Sequence, residues 1–286
     1  MKIRKAVITA AGRNQRSLAL QQLVDRDGEQ KSVLRIIVEE ALDAGMDEIY
    51  VIIHPDDQAA YEQAVTRHAG RLEFVPQTDA LGYGHALYCA REFVAGESFL
   101  HLVGDHLHVG RGAKGCARQL VESASAEDCA VSAVQHVRES QLPYYGTVGG
   151  RKVPGRPDLY TVEQVIEKPS PTLAEEELMV PGVRVGHYLS FFGVHVLTPT
   201  VMEILTEHVT QRRGDESVGL SRALAELASR ERYLASGRLG WCYDVGVRYG
   251  ILKAQLALAL CGNDRDEVLS HLVELLAQRE HGGATV

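Results

Sequence analysis

An α/β fold with helices on both faces of a largely parallel sheet is predicted by three features of the sequence. Short apolar runs alternate with amphipathic segments through the N-terminal third, the pattern of strands joined by crossover helices. Several runs stop at a glycine or a polar residue, as strands do when they feed a loop. The chain has 286 residues, 45% hydrophobic and 24% charged, which suits one large globular α/β unit spanning residues 1–286.

The elements follow in order. Lys5–Ala11 reads as a buried strand ending at Gly12. Ser32–Ala44 carries apolar residues at helical spacing and stops at Gly45. Glu48–Ile53 is a second buried strand, Pro55–His68 a helix, and Leu72–Val75 a third strand. Tyr83–Phe93 reads as a helix, and Ser98–Val103 as a strand ending at Gly104. The second half is less regular. Cys129–His136 and Val185–Leu197 read as strands. Tyr145–Gly150 and Leu159–Glu167 read as a pair around a Gly/Pro-rich turn. Thr198–His208, Glu216–Ser229, Gly246–Leu260 and Asp264–Glu280 read as helices, and 281–286 as a mobile tail. The C-terminal leucines, Leu256, Leu260, Leu269, Leu272, Leu275 and Leu276, fit packing on the protein's own core or a dimer contact.

Charge narrows the function. A formal net charge of −8 argues against a nucleic-acid or anionic-membrane binder, which needs a basic face. Phosphates would have to be held locally, by a few placed cations, amides and metal ions. The five cysteines form no CxxC pair, so a disulfide framework or structural zinc is not expected, and a reducing cytoplasm fits. No apolar run is long enough to span a bilayer.

In open α/β sheets ligands sit at the C-terminal ends of strands, and five segments there carry possible chemistry. Thr9-Ala10-Ala11-Gly12 offers small residues and amides for phosphate, with Arg16 as a charged clamp; many folds share such a turn. Gln77, followed by Leu81-Gly82-Tyr83-Gly84-His85-Ala86, offers a donor and an acceptor for a nucleobase edge beside glycines that let a flat ring approach. An ordinary glycine loop reads the same way. Asp105, after Gly104, is a good Mg²⁺ ligand. The nearby His101, His106 and His108 allow a transition-metal site, or are a core or sheet-surface residue and two loop residues. Glu167-Lys168-Pro169 pairs a carboxylate for sugar hydroxyls with an ammonium for phosphate, or is a solvated pair before a turn. Asp244 is a second metal or sugar ligand, or a helix N-cap.

The order of these motifs (AAG, Q-x4-G-x-G-H-A, G-D, YG, E-K-P, Y-D-x-G) resembles the bacterial UTP–glucose-1-phosphate uridylyltransferases, within the sugar-1-phosphate nucleotidyltransferases. The resemblance runs from about Lys5 to about Leu260 and is most specific in Gly82–Arg91 and Tyr243–Ala254. It implies a Rossmann-like three-layer fold of the nucleotide-diphospho-sugar transferase type, Mg²⁺ as cofactor, a nucleoside triphosphate and a sugar 1-phosphate as substrates, and a homo-dimer or homo-tetramer. Ala10, Ala11 and Gly12 match the nucleotide-holding turn, and Gln77 and Gly82 the positions facing the base. Asp105 and Asp244 match acidic metal positions, and Gly146 and Glu167 sugar contacts. Lys168 matches the lysine that meets the sugar phosphate.

One stretch departs from the family. Its loop reads G-x-G-T-R followed by P-K-E-M-L-P; here it reads Gly12-Arg13-Asn14-Gln15-Arg16, then Leu20-Gln21-Gln22-Leu23-Val24-Asp25. The second glycine, the threonine and the lysine are absent, while Arg16 keeps the arginine position. Losing such a preorganised charge costs roughly 3 kcal/mol, which Arg13 or Lys31 could offset. Three readings stay open: a UTP and glucose 1-phosphate transferase with a rebuilt loop, a transferase for another nucleotide or sugar phosphate, and a non-catalytic binder of nucleotide sugars.

Overall fold

The computed structural model describes residues 1–12 and 16–281; the tail 282–286 and Arg13 lie outside them. The described elements are β1 (Lys5–Thr9), β2 (Gln22–Val24), β3 (Gln30–Ser32), α1 (Val33–Asp43), β4 (Glu48–Ile53), α2 (Gln58–Ala64), β5 (Leu72–Pro76), α3 (Tyr83–Tyr88), α4 (Arg91–Val94), β6 (Phe99–Val103), β7 (His106–Gly110) and α5 (Cys116–Glu127). They continue as β8 (Ala130–Arg138), β9 (Gly146–Lys152), β10 (Leu159–Glu167), α6 (Pro171–Glu177), β11 (His187–Leu197), α7 (Pro199–Gln211), α8 (Leu220–Arg230), β12 (Tyr233–Ser236), β13 (Gly240–Asp244), α9 (Gly250–Leu260) and α10 (Arg265–His281).

Nine strands form one sheet in the order β5-β4-β1-β6-β11-β8-β12-β10-β9. The half built from β5, β4, β1 and β6 is parallel. Strand β11 enters antiparallel beside β6 and joins the two halves. Successive side chains of a strand point to opposite faces, and β1 shows the consequence. Ala6 and Ile8 join an apolar cluster with α1, α5 and α9. Val7 joins the cluster of α3, α7 and α8 on the other face. Helix–sheet–helix layering follows, as the sequence predicts.

Some boundaries differ from the expectation. The helix expected over 55–68 is a one-turn 3₁₀ segment, α2 and a second 3₁₀ segment. The helix expected over 83–93 is broken into α3 and α4. Elements α5, β7 and β12 were not foreseen. Nor do the leucines of the last helix pack on the core: Leu269, Leu275 and Leu276 of α10 are exposed, because α10 packs mainly against α9.

Near the start of α1 sits a buried ion cluster. Lys31, 4% exposed, donates to Asp25 (2.7 Å), Asp27 (2.6 Å) and Glu39 (2.7 Å). Burial alone would lower the ammonium's pKa; the carboxylates outweigh it and raise it. For Asp27 and Glu39, burial pushes the pKa up, but hydrogen bonds led by Lys31 leave both lowered. The Lys31 ammonium is therefore neutralised within the fold by Asp25, Asp27 and Glu39.

Lys31→Met should cost about 3 kcal/mol in urea denaturation at pH 7, because it strands the buried Asp25 charge. Asp27 and Glu39 have lowered folded pKa values. Their contribution is therefore present above the ordinary carboxylate range and lost as pH falls through the folded values, so wild type should lose more stability than the variant on acidification. A loss below about 1 kcal/mol at pH 7 would show the cluster to be dispensable.

Candidate active site

The site begins where β1 and β6 end side by side. Gly104 donates its N–H to the Thr9 carbonyl at 2.9 Å. A Cβ on Gly104 would lie 2.8 Å from the Ala10 Cβ, so glycine is required for the two loops to pass. Asp105 follows, 7% exposed. Beyond it β7 pairs antiparallel with β13, and the register sets His106 opposite Asp244. The Val245 N–H closes the corner on the Asp105 carbonyl at 3.0 Å. Ligand atoms of Asp105, His106 and Asp244 all lie within 4.8 Å of one another.

These three groups are held from outside. Nδ1 of His106 lies 2.8 Å from Asp105 Oδ1. Asp244 Oδ1 accepts the Gly246 N–H at 2.8 Å; since α9 starts at Gly250, Asp244 caps a turn and not the helix. Strand β11 bulges between Phe191 and His195, where Gly193 adopts φ +83° and a Cβ would lie 3.2 Å from the His106 ring. Burial would lower the His106 pKa, but the Asp105 hydrogen bond and the charges of Asp105 and Asp244 outweigh it and raise it.

Beside this cluster opens a cleft of about 240 Å³. The β9–β10 register sets Gly146 opposite Glu167, and a Cβ on Gly146 would come within 3.0 Å of Glu167 Oε2 and the Phe191 ring. Ser221 donates to Glu167 Oε2 at 2.5 Å. Lys168 takes a left-handed φ of +48°, unfavourable for a residue with a Cβ, with its N–H on the Tyr145 carbonyl at 3.1 Å. Its Nζ lies 3.9 Å from Glu167 Oε1, and both side chains are more than half exposed. Such a pair is weak and leaves the ammonium available to an anion. Gly146, Glu167 and Lys168 thus share one wall.

Other expected residues meet protein instead. Gln77 is buried, with Nε2 on the Gly82 carbonyl (3.2 Å) and facing His85 Nδ1 (3.1 Å). Gly82 has φ +113°, and a Cβ there would lie 2.7 Å from the Val218 carbonyl. Its glycine is accounted for by that backbone approach, where the sequence suggested room for a flat ring. The Ala10 N–H donates to the Ile52 carbonyl at 2.8 Å, so that amide is not free for phosphate; Ala11 and Gly12 continue the turn. The Arg16 guanidinium forks onto Asp57, with Nη2 to Oδ1 at 2.7 Å. Where a phosphate clamp was expected, Arg16 is paired with carboxylates.

Three further imidazoles are buried: His101, in the core as one reading of the sequence had it, His108, and His195, which the sequence did not single out. Nδ1 of His101 lies 3.0 Å from the Val7 carbonyl. A carbonyl only accepts, so Nδ1 carries the proton and Nε2 accepts from the Tyr83 hydroxyl at 2.7 Å. Tyr83 in turn lines the cleft. His195 stacks on His101 with centroids 5.7 Å apart, and its Nδ1 lies 2.6 Å from Ser132 Oγ. His108 Nε2 bonds the Phe192 carbonyl at 3.0 Å. Burial drives His101 down to about 4, His108 to about 3 and His195 well below the ordinary value. His106 and His108 lie on β7, not in a loop, and of the three histidines near Asp105 only His106 joins the aspartates.

These depressed values make the site sensitive to acid. A buried neutral histidine contributes stability that is present above its unfolded pKa near 6.5 and lost as pH falls toward the folded value. At pH 5 the His101 contribution should have fallen by about 2 kcal/mol relative to pH 7. His101→Gln should flatten the pH dependence of urea denaturation by roughly that amount. Parallel pH profiles for the two proteins would show that His101 protonates freely in the fold.

With the geometry in place, the chain can be set beside known proteins. The profile of the nucleotidyl transferase family matches residues 15–259. The UTP–glucose-1-phosphate uridylyltransferase of Streptococcus pneumoniae serotype 4 is 29% identical over 302 aligned positions, covering 96% of this chain and 96% of that protein. That of Streptococcus pyogenes is 31% identical over 288 positions, covering 91% of this chain and 90% of its own. The crystal structure of a UDP-glucose pyrophosphorylase complexed with UDP-glucose aligns with a TM-score of 0.74 at 21% identity, over 90% of this chain and 98% of that one. At that identity the likeness is one of fold. Among the described residues, no helix is long and apolar enough to cross a membrane.

Proposed function

This chain belongs to the nucleotidyl transferase family, and we propose that it joins UTP to glucose 1-phosphate, forming UDP-glucose and pyrophosphate. The nine-stranded sheet runs through both halves of the chain, which supports one catalytic unit over residues 1–286. The observation that carries the reading is the meeting of Asp105 and Asp244 beside the Gly146–Glu167–Lys168 wall.

Two carboxylates and an imidazole within 4.8 Å suit a divalent cation, magnesium on the family pattern; bound there it would neutralise phosphate charge. The residues of the chain do the rest. Lys168 holds the sugar phosphate near the nucleotide. Glu167, fixed by Ser221, accepts from sugar hydroxyls. A sugar-phosphate oxygen attacks the α-phosphorus; the new P–O bond forms as the bond to the β-phosphate bridge breaks, and pyrophosphate leaves. The attacking group is already an anion, so no protein base is required.

One observation favours a second reading. Arg16 and Lys31, two cations near the altered loop in sequence, are both engaged by carboxylates. A fold that binds a nucleotide sugar without turning over would look like this.

Pyrophosphate release, measured over a grid of nucleoside triphosphates and sugar 1-phosphates with Mg²⁺, separates the two. UTP with glucose 1-phosphate should give the strongest signal, and Asp105→Asn should cut kcat at least about 100-fold with the thermal midpoint retained. Silence across the grid, with UDP-glucose still bound, would make the protein a binder.

We also infer that the chain self-associates through α10, where Leu269, Val273 and Leu276 form an exposed apolar row at helical spacing. Light scattering should give at least a dimer mass at micromolar concentration, and Leu276→Glu should lower it. A monomer mass for wild type would overturn this.

A further inference from the structure

We propose that His106 is itself a metal ligand, so that the Asp105–His106–Asp244 site favours a first-row transition cation such as Mn²⁺ over Mg²⁺. The inference rests on the transferase reading only in placing a cation at this cluster. Its own support is geometric.

A nitrogen donor stands among the oxygens. The β7–β13 register puts His106 directly across from Asp244, the arrangement in which cross-strand side chains approach most closely. The His106 side chain is only 16% exposed, and the Gly193 bulge packs against its ring. His101 and His108 are committed to the Val7 and Phe192 carbonyls. His106 instead has its Nδ1 on Asp105 Oδ1, so the partner of this histidine is one of the other two members of the cluster.

Donor type decides the preference. Mg²⁺ takes oxygen ligands in a strict octahedron and keeps its water reluctantly exchanged. Imidazole is a common ligand of first-row transition cations, whose affinity for mixed N/O sites rises from Mn²⁺ to Cu²⁺, so Mn²⁺ is the mildest probe of the series. Replacing one oxygen of a magnesium site by a held imidazole therefore moves selectivity away from Mg²⁺.

The test uses the whole protein and MnCl₂, read by electron paramagnetic resonance. Wild type should bind one Mn²⁺, pulsed spectra should show coupling to an imidazole nitrogen, and Mg²⁺ should displace the ion only in large excess. His106→Ala should lose the nitrogen coupling and weaken Mn²⁺ by about tenfold or more, with a smaller change for Mg²⁺. His106→Asp, which restores an oxygen donor, should bind a cation without nitrogen coupling and with the preference moved toward Mg²⁺. The proposal is overturned by wild-type Mn²⁺ lacking nitrogen coupling, by an unchanged Mn²⁺-to-Mg²⁺ ratio in both variants, or by no bound Mn²⁺ at millimolar concentration. Pyrophosphate release on the same samples keeps the two readings apart. Release with Mg²⁺ and no nitrogen coupling sinks this inference alone; nitrogen-coupled Mn²⁺ without release supports it and sinks the transferase.

Discussion

The short ladder between β7 and β13 is the constraint on which the site depends. Neither strand belongs to the main sheet, and they are separated in sequence by nearly half the chain. Yet their register alone sets Asp244 beside Asp105 and His106. A slip of one residue would turn Asp244 to the other face of the ladder and leave two like-charged aspartates without a shared task. The ladder is fastened at one end by the Val245 N–H on Asp105 and at the other by the Arg111 N–H on the Leu239 carbonyl.

A protein with net charge −8 that handles phosphates has to place its positive charge with care. Here most cations described near the N-terminal loop are already neutralised, Lys31 by three carboxylates and Arg16 by Asp57. Lys168 differs: its partner is exposed and distant, and its backbone is held in a conformation lysine disfavours. Strain of that kind, about 1–2 kcal/mol, persists where surrounding bonds over-determine it, and it marks this lysine apart from the rest.

Much of this was legible in the sequence, and the rest was hidden for identifiable reasons. The parallel half of the sheet showed as apolar runs ending at Gly12 and Gly104, because strands buried on both faces read as continuous hydrophobic segments. Gly146 and Glu167 could be placed together because their strands flank a single turn. The helix α5 escaped notice because it buries small residues (Cys116, Ala117, Ala124) with only Leu120 among them, so its apolar stripe is faint. The strand β7 was hidden by its histidines. The partners of Arg16 and Lys31 were hidden for a different reason: a sequence shows a cation but not the carboxylates that fold against it. The close approach of the Val218 carbonyl to Gly82 was hidden because only tertiary structure supplies that neighbour.

The seam between β6 and β11 has a consequence for synthesis. Strand β6 is buried along its whole length and pairs on one side with β1. Its other edge is covered only by β11, which leaves the ribosome on the order of ten seconds later at ordinary elongation rates. During that interval Phe99–Val103 presents unpaired amides on an apolar ribbon, the kind of edge that recruits other chains. Until residue 197 is clear of the exit tunnel that edge would stay open, and substitutions that slow β11 docking would show first as insoluble protein, with the protein that does fold unchanged.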